Sequence, residues 1–251
     1  MADTKIKSVD LACKILEYLK DNGGASMQQL ADVFDLSTST VHRHLSTLRS
    51  HGYVVQEGRT YHVGLRFVEM AEHAMNRKPS YEIAEEITDT LARQTGDRSA
   101  YVAEENGLGV VLSSETGEHG ILADLTMGQR VHLHSSAVGK AILAYSSHSD
   151  VVEILRMHGL PKITESTITD RSALMEELDL IRERGYSINR SERIQGLHAV
   201  GVPVKSEDGT VIGAFSVSGP TRRMTDERIS GEIATILLNA AEEYELRLRH
   251  V

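Results

Sequence analysis

The chain has 251 residues, of which 40% are hydrophobic and 25% are charged, a composition typical of a globular protein. No run of apolar residues is long enough to cross a membrane, and the first residues lack the pattern of a signal peptide. The single cysteine, Cys13, can form no intramolecular disulfide. Together these features predict a cytoplasmic protein with no membrane association.

The negative charge of the chain is concentrated in its C-terminal part. The net charge is −9, yet residues 1–63 contain seven Lys or Arg and seven Asp or Glu and are neutral overall. The acidic excess lies in residues 64–251, which would repel a polyanion such as DNA. A nucleic-acid interface is therefore compatible with residues 1–63, where a neutral segment can present one basic face.

The first 50 residues carry the apolar periodicity of three helices, over 8–21, about 26–33 and about 38–50. Ser26 begins the second helix with the spacing of a capping box, and Ser37 is expected to cap the third. Apolar residues at helical spacing are expected to face the interior, among them Val9, Leu30, Ala31, Val33, Val41, Leu45 and Leu48.

Two β-rich runs, 53–56 and 60–63, flank Glu57-Gly58-Arg59 and predict a β-hairpin. Three helices followed by a hairpin predict a winged helix-turn-helix over residues 1–63. In that motif the third helix enters the major groove, where short polar side chains and cations contact bases and phosphates. The candidate DNA-binding residues are Ser26, Ser37, Thr38, Ser39, Thr40, His42, Arg43, Thr47, Arg49 and, at the hairpin tip, Arg59. The alternative is that Ser37 and Thr38 only cap the helix and that the arginines are solvated.

Residues 64–79 predict a separate helix that ends before Pro79. Residues 80–251 alternate between helical and β-like patterns, which predicts an α+β domain. The β-like runs include 99–105, 107–114 and 120–126, and a later cluster spans 196–220.

Gly139-Lys140 resembles part of a phosphate-binding loop, but the full GxxxxGK[ST] pattern is missing. Lys140 is therefore expected either to contact a ligand or to pair with a carboxylate inside the fold. His132, His134 and His198 could approach one another, but without further ligands the sequence favours no metal site and no cofactor. Ser216 and Ser218 point to one face of a strand and could line a polar pocket, for which Asn189 is a second polar candidate. The alternative for each is a hydrogen bond within a turn or the sheet.

Several segments together resemble the IclR (isocitrate lyase regulator) family of transcription factors over nearly the whole chain. The matching segments are SVDLACKILEYL, STSTVHRHLSTLRSHGYV, YHVGLRFVEMA, LHSSAVGKAILA, RERGYSINRSERIQGLHAVGVPV and GAFSVSGP. The resemblance implies a winged helix that binds a palindromic operator in double-stranded DNA, a linker helix over 64–79 and a GAF-like effector domain over 80–251. It also implies a homodimer or a dimer of dimers that responds to a small metabolite, commonly a carboxylate or an aromatic acid.

The resemblance places an effector cavity between the sheet and the start of the helix that contains Gly139. The corresponding effector-binding positions are Ala123, Val131, Ala137, Val138, Asn189, Ala199, Ser216 and Ser218. Asn189 stands in a stretch where the family frequently has an acidic residue, so the identity of the effector does not transfer. The resemblance leaves repression and activation equally open.

Two other functions are compatible with the sequence. The C-terminal domain could only oligomerise a constitutive DNA-binding protein. Alternatively, it could be an enzyme that uses the winged helix as an interaction module. The sequence contains neither GxSxG nor HExxH, so it predicts no catalytic residue and favours a regulator that is not an enzyme.

Overall fold

The computed structural model describes residues 5–78, 80–121 and 125–250. The chain forms two compact units, Met1–Arg77 and Lys78–Val251. None of the helices in the described part is long and apolar enough to cross a membrane.

From residue 5 onward, where its description begins, the N-terminal unit consists of four helices and a small antiparallel sheet. Its elements are α1 Lys7–Asp21, β1 Ala25–Ser26, α2 Met27–Phe34, α3 Thr38–Ser50, β2 Val54–Glu57, β3 Thr60–Val63 and α4 Arg66–Met75. The strands lie in the order β1-β3-β2, so the predicted hairpin gains a short third strand. This arrangement confirms the winged helix-turn-helix.

The core of the N-terminal unit contains most of the residues that periodicity places inside. Leu30 and Val41 are buried, but Val9 and Val33 are 57% and 52% exposed, so their predicted burial is wrong. Successive residues of a helix are rotated by about 100°, so Val33 lies outside the arc of α2 that buries Leu30 and Ala31. Val9 instead lines an open groove between α1, α3 and α4.

The C-terminal unit alternates helices and strands. Its elements are α5 Ser80–Thr95, β4 Arg98–Glu105, β5 Leu108–Thr116, β6 Arg130–His132, a 3₁₀ turn Leu133–Ser135, α6 Ala137–Tyr145, α7 His148–His158, α8 Arg171–Arg184, β7 Ser187–Arg190, β8 Leu197–Lys205, β9 Val211–Pro220, α9 Asp226–Arg228, a π-helical stretch Ile229–Ile233 and α10 Ala234–Leu248.

The strands of this unit form one antiparallel sheet in the order β6-β5-β4-β9-β8-β7. Helices α5 and α10 cover one face, where Tyr101, Phe215 and Tyr244 pack ring against ring with centroids 4.9 to 5.6 Å apart. Helices α6 and α8 cover the other face, against side chains such as Val102 and Ala214. The predicted α+β class is therefore confirmed.

The first turn of α6 lies unusually close to the sheet. A Cβ atom added to Gly201 on β8 would stand 2.6 Å from the backbone of Ala137, so only glycine allows this approach. Ser187 on β7 donates a hydrogen bond from Oγ to the carbonyl oxygen of Ala137 over 2.6 Å. The N-terminus of α6 is thereby fixed over the edge of the sheet formed by β7 and β8.

Of the β-like runs named from the sequence, 99–105 lies within β4, and 107–114 lies within β5 except for Gly107, which belongs to the turn before it. The run at 120–126 does not form a strand at Ile121, Leu125 or Thr126, and residues 122–124 lie outside the described residues. Leu125 has a φ of 46°, in the left-handed region, and this conformation interrupts the extended backbone that a strand requires.

Candidate DNA-binding surface and effector cavity

The third helix of the N-terminal unit is capped as its sequence predicts. Ser37 Oγ accepts a hydrogen bond from the backbone N–H of Thr40 over 3.3 Å and lies 2.9 Å from both Ser39 Oγ and Thr40 Oγ1. Val41, Leu45 and Leu48 face the core. The capping role of Ser37 is therefore established by geometry, while a base contact stays a prediction.

The opposite side of α3 is an exposed polar face. Ser39, His42, Arg43 and Ser46 have the spacing i, i+3, i+4 and i+7 of a single helical face, and all four are exposed. The helix contains two arginines and two histidines and no carboxylate. Ser46 was missing from the sequence candidates, although the same spacing rule points to it. This face has the size and chemistry to enter a major groove.

The other DNA-binding candidates differ in how free their side chains are. Thr47 donates a hydrogen bond to the carbonyl oxygen of Arg43 over 3.0 Å, and Arg49 donates one to Gln56 Oε1 over 2.8 Å. Ser26 participates in the capping box of α2 with Gln29. These three side chains stabilise the motif itself. Thr38 and Arg59, the latter at the hairpin tip, are exposed and make no side-chain hydrogen bond to another described residue.

A small cavity lies in the C-terminal unit between the start of α6 and the sheet. Its volume is about 10 Å³, which is room for about one water molecule. It is lined by Leu125, Ser136, Ala137, Val138, Asn189, Arg193, Ile194, Leu197, His198, Ala199, Ser216 and Ser218. Six of the eight predicted effector-binding positions therefore meet here.

The sheet register explains why these residues meet. Asn189 on β7 pairs with Ala199 on β8, and Ala199 pairs with Ser218 on β9. Directly paired residues of antiparallel strands project to the same face. Ser216 lies two residues earlier on β9 and therefore shares that face. The row crosses the sheet beneath the N-terminus of α6.

Of the two remaining predicted positions, Val131 does not belong to the lining. Val131 is buried in the apolar core between β6 and α6 and not in the cavity wall. Its side chain packs beside Gly109, where an added Cβ atom would lie 3.0 Å from Val131 Cγ2. Val131 lies on the edge strand β6, at the other end of the sheet from β7 and β8. Ala123 lies outside the described residues.

Asn189 is held by hydrogen bonds on both sides of its amide group. Its Nδ2 donates to the carbonyl oxygen of Ser135 over 2.6 Å, and its Oδ1 accepts from the backbone N–H of Glu192 over 3.0 Å. The side chain is 4% exposed. Asn189 thus positions the start of α6 against the loop after β7, in addition to bordering the cavity.

Two roles were predicted for Lys140, contact with a ligand or pairing with a carboxylate inside the fold, and the structure shows the pairing. Lys140 is 1% exposed, and its Nζ donates to the carbonyl oxygen of Ile188 and to Glu192 Oε1, both over 2.7 Å. A longer contact of 3.3 Å reaches Glu177, which also accepts from Arg184. The ammonium therefore links α6 to β7 and does not reach the cavity lining.

Arg193 is a lining residue that sequence reasoning missed. Burial lowers the pKa of its guanidinium to about 10, so the group stays cationic at neutral pH. Its position in the loop after β7 gives no periodic signal, because a loop residue has no fixed face. The cavity thus carries at least one cation in its wall.

The histidines named from the sequence are not one cluster. His198 lies beside the cavity and has its Nδ1 3.1 Å from the carbonyl oxygen of Met224. The rings of His132 and His134 are 5.7 Å apart, and His158 joins them at 6.2 Å from His132. Among the described residues no group of three His, Cys, Asp or Glu side chains could hold a metal ion.

Comparison with known proteins matches both units. The model of the IclR helix-turn-helix domain matches residues 8–58, and that of the bacterial transcriptional regulator IclR C-terminal domain matches residues 72–245. The HTH-type transcriptional regulator BhcR of Paracoccus denitrificans is 34% identical over 95% of this chain and 86% of its own length.

Two solved structures share the fold. IclR of Thermotoga maritima has a TM-score of 0.79 and 29% identity, covering 97% of this chain and 99% of that one. An IclR homologue of Microbacterium hydrocarbonoxydans, solved with 4-hydroxybenzoate, has a TM-score of 0.81 and 20% identity, covering 97% and 100%. At that lower identity the likeness shows the fold alone. The winged helix with its exposed polar face and the fold of the C-terminal unit agree with both family matches. This chain belongs to the IclR family of transcriptional regulators.

Proposed function

We propose that this regulator binds operator DNA through the exposed face of α3 and that a small metabolite in the α6 cavity changes its DNA affinity. The observation that carries the proposal is the polar face formed by Ser39, His42, Arg43 and Ser46, which is cationic and free of carboxylates. Such a regulator acts in the cytoplasm and requires no cofactor.

Arg43 is the central cation of this face and the first residue to test. Arg43→Ala should weaken binding to specific DNA by about 1–3 kcal/mol if the guanidinium contacts a base edge. Fluorescence anisotropy with DNA from upstream of the protein's own gene measures the affinity at fixed salt. Arg93→Ala, an exposed arginine of α5, is the matched control and should have no effect. Equal affinities of Arg43→Ala and the wild type would refute the contact.

The cavity supports an effector site because its wall combines apolar and polar side chains on rigid elements. Ser216 and Ser218 are 2% and 5% exposed, and Arg193 adds a cation. A metabolite is larger than one water molecule, so its binding must move part of the wall. A ligand that needs a rearranged wall stabilises the rearranged state of the protein. This requirement supports coupling between effector binding and DNA affinity.

A thermal-shift screen of small carboxylates and aromatic acids, 4-hydroxybenzoate among them, tests the effector site. A compound that raises the melting temperature should lose this effect in Ser216→Val, which narrows the cavity, while DNA affinity without the compound is unchanged. Ser114→Val on β5, outside the lining, is the control. A response that persists in Ser216→Val would place the effector elsewhere.

We further propose that the protein is a homodimer or a dimer of dimers, with a pairing surface on the N-terminal unit. A groove of about 740 Å³ between α1, α3 and α4 is lined mainly by apolar residues, although Arg43 of the DNA-binding face also borders it, and Val68 beside it is 62% exposed. Exposed apolar patches of this kind mark protein interfaces. Val68→Glu should reduce the mass in sedimentation equilibrium, whereas Met157→Glu on α7 should not.

The small volume of the cavity favours one other function, a constitutive regulator whose C-terminal unit only oligomerises. The two functions differ in whether any small molecule changes DNA affinity. We infer a binding function rather than an enzymatic one, since the relatives are named as transcriptional regulators. A DNA affinity that no stabilising compound alters would favour the constitutive function.

A further inference from the structure

A buried arginine lies in the same row of the sheet as the cavity wall. Arg98 on β4 pairs directly with Ser218 on β9, and both side chains therefore project toward α6. Arg98 is 5% exposed. It lies next to the cavity wall, because its Nη2 donates to the carbonyl oxygen of Leu125, a lining residue, over 3.1 Å.

Arg98 forms no direct ion pair within the described part of the chain, and the only carboxylate that acts on its charge there, that of Glu115, does so without a hydrogen bond. Its Nη1 donates to Thr116 Oγ1 over 2.6 Å, and its Nε has no hydrogen-bond partner. No carboxylate among the described residues forms an ion pair with it. The neighbouring Asp97 is instead held by Arg223 at 2.9 Å and Arg228 at 2.5 Å. A buried cation without a counterion is costly, so an anion at this position would stabilise the fold.

The unused donor lies on the edge of the guanidinium that suits a carboxylate. Nε and Nη2 form one side of the planar fork and can bind both oxygens of a carboxylate together. The protein uses this same edge elsewhere: Arg156 donates from Nε and Nη2 to Glu153 over 2.8 and 2.6 Å. At Arg98 only the Leu125 carbonyl occupies the edge, and it uses one of the two donors.

The carbonyl group of Leu125 is the one that an anion bound at this edge of Arg98 would displace. The φ of 46° at Leu125 is unfavourable for a residue with a large side chain. Its carbonyl oxygen is neutral, whereas a carboxylate makes a stronger, charge-assisted hydrogen bond to a guanidinium. Burial also holds the pKa of Arg98 below its usual value, which an anionic partner would reverse.

We propose that Arg98 is the anion-binding residue of the effector site and that the effector is a small carboxylate, bound through both oxygens to Nε and Nη2. This inference rests on the proposed effector site and adds its specificity-determining residue. Ser218 then lies beside the bound carboxylate, and Arg193 adds positive potential from the lining. The cavity volume favours a short carboxylate, because less of the wall must move.

The test uses formate and acetate as probes of the full chain, since they carry a carboxylate on the smallest possible body. Melting temperatures are measured in sodium formate or acetate, against sodium chloride at equal ionic strength and against formamide or acetamide. The wild type should be stabilised by the carboxylates beyond chloride and not by the amides. In Arg98→Met the affinity for the carboxylates should fall about 10- to 150-fold.

A purely structural role for Arg98 predicts a different result without any ligand. If the role is only structural, Arg98→Met lowers the melting temperature. If Arg98 is instead a buried charge without an ion-pair partner, Arg98→Met leaves the melting temperature unchanged or raises it. Arg98→Lys keeps the charge but loses the fork, and it should bind acetate with intermediate affinity. Arg156→Met is the control, an exposed arginine with the same pairing edge, and should respond as the wild type does.

Equal stabilisation of the wild type and Arg98→Met by carboxylates would overturn the assignment. So would a wild type that carboxylates stabilise no more than their amides do. Either result leaves the proposed function intact if a neutral compound still changes DNA affinity through the cavity. Conversely, carboxylate binding at Arg98 with no change in DNA affinity would refute the proposed function and keep the anion site.

Discussion

Removal of the Lys140 ammonium should destabilise the C-terminal unit strongly. Lys140 Nζ lies 2.7 Å from Glu192 Oε1, and Glu192 is 5% exposed. Lys140→Met keeps the volume but leaves the Glu192 carboxylate buried without its cation, whereas Glu177 retains Arg184 at 2.8 Å. Breaking one side of a buried pair costs about 3–5 kcal/mol. For a domain of this size that corresponds to a fall in melting temperature of about 6–20 °C.

Urea denaturation of the full chain, followed by far-UV circular dichroism, measures this loss in the transition of the C-terminal unit. Lys140→Met with Glu192→Gln should recover most of the stability, because no buried charge then remains unpaired. Lys162→Met is the control: its partner Glu165 is 2.6 Å away but both side chains are exposed, so the change should be below about 1 kcal/mol. A loss below about 1 kcal/mol in Lys140→Met, or no recovery in the double variant, would refute the reasoning.

Three further changes have directions set by the structure. Ser37→Ala should cost about 1 kcal/mol of N-terminal stability in urea denaturation, because α3 loses its cap. Asn189→Asp should cost about 1–3 kcal/mol, because a carboxylate oxygen would face the Ser135 carbonyl oxygen that Nδ2 now contacts. Burial lowers the pKa of His134 below 6.5, so the folded state takes up its proton less readily than the unfolded state. Stability should therefore fall as the pH drops below about 6.5, and His134→Gln should reduce that slope in thermal melts.

Each of these changes has an exposed counterpart that should be nearly silent. The controls are Ser172→Ala on α8, Asn239→Asp on α10 and His148→Gln on α7. A Ser37→Ala protein as stable as the wild type would argue against the cap. An Asn189→Asp protein of normal stability would mean that the amide is not held as described. An unchanged pH slope in His134→Gln would assign acid sensitivity to other groups.

Local patterns predicted the N-terminal unit well. The caps at Ser26 and Ser37 and the spacing of Leu30, Val41 and Leu45 depend on residues within a few positions of one another. Such signals are read directly from the sequence. Val33 was placed wrongly because periodicity alone does not show how far a neighbouring element extends along a short helix. The two-residue strand β1 is too short for any alternation to be visible.

The cavity was predicted in part. Ser216 and Ser218 share a face by simple alternation, and Asn189 was a polar candidate that the family resemblance placed at the same site. Neither signal points to Arg98, because its place beside Ser218 depends on strand pairing across 120 residues of sequence. The same non-local packing joins Lys140 to Glu192 and places Arg193 in the wall. Contacts of this kind follow from tertiary structure and leave no periodic trace in the sequence.

The central claim is that occupation of the cavity and DNA binding by α3 are coupled. The direct measurement determines the dissociation constant for upstream DNA with and without the most stabilising compound, and that of the compound with and without DNA. The account predicts that both constants change by the same factor, about 5- to 150-fold. A compound that binds the cavity with equal affinity in the presence and absence of DNA would contradict it.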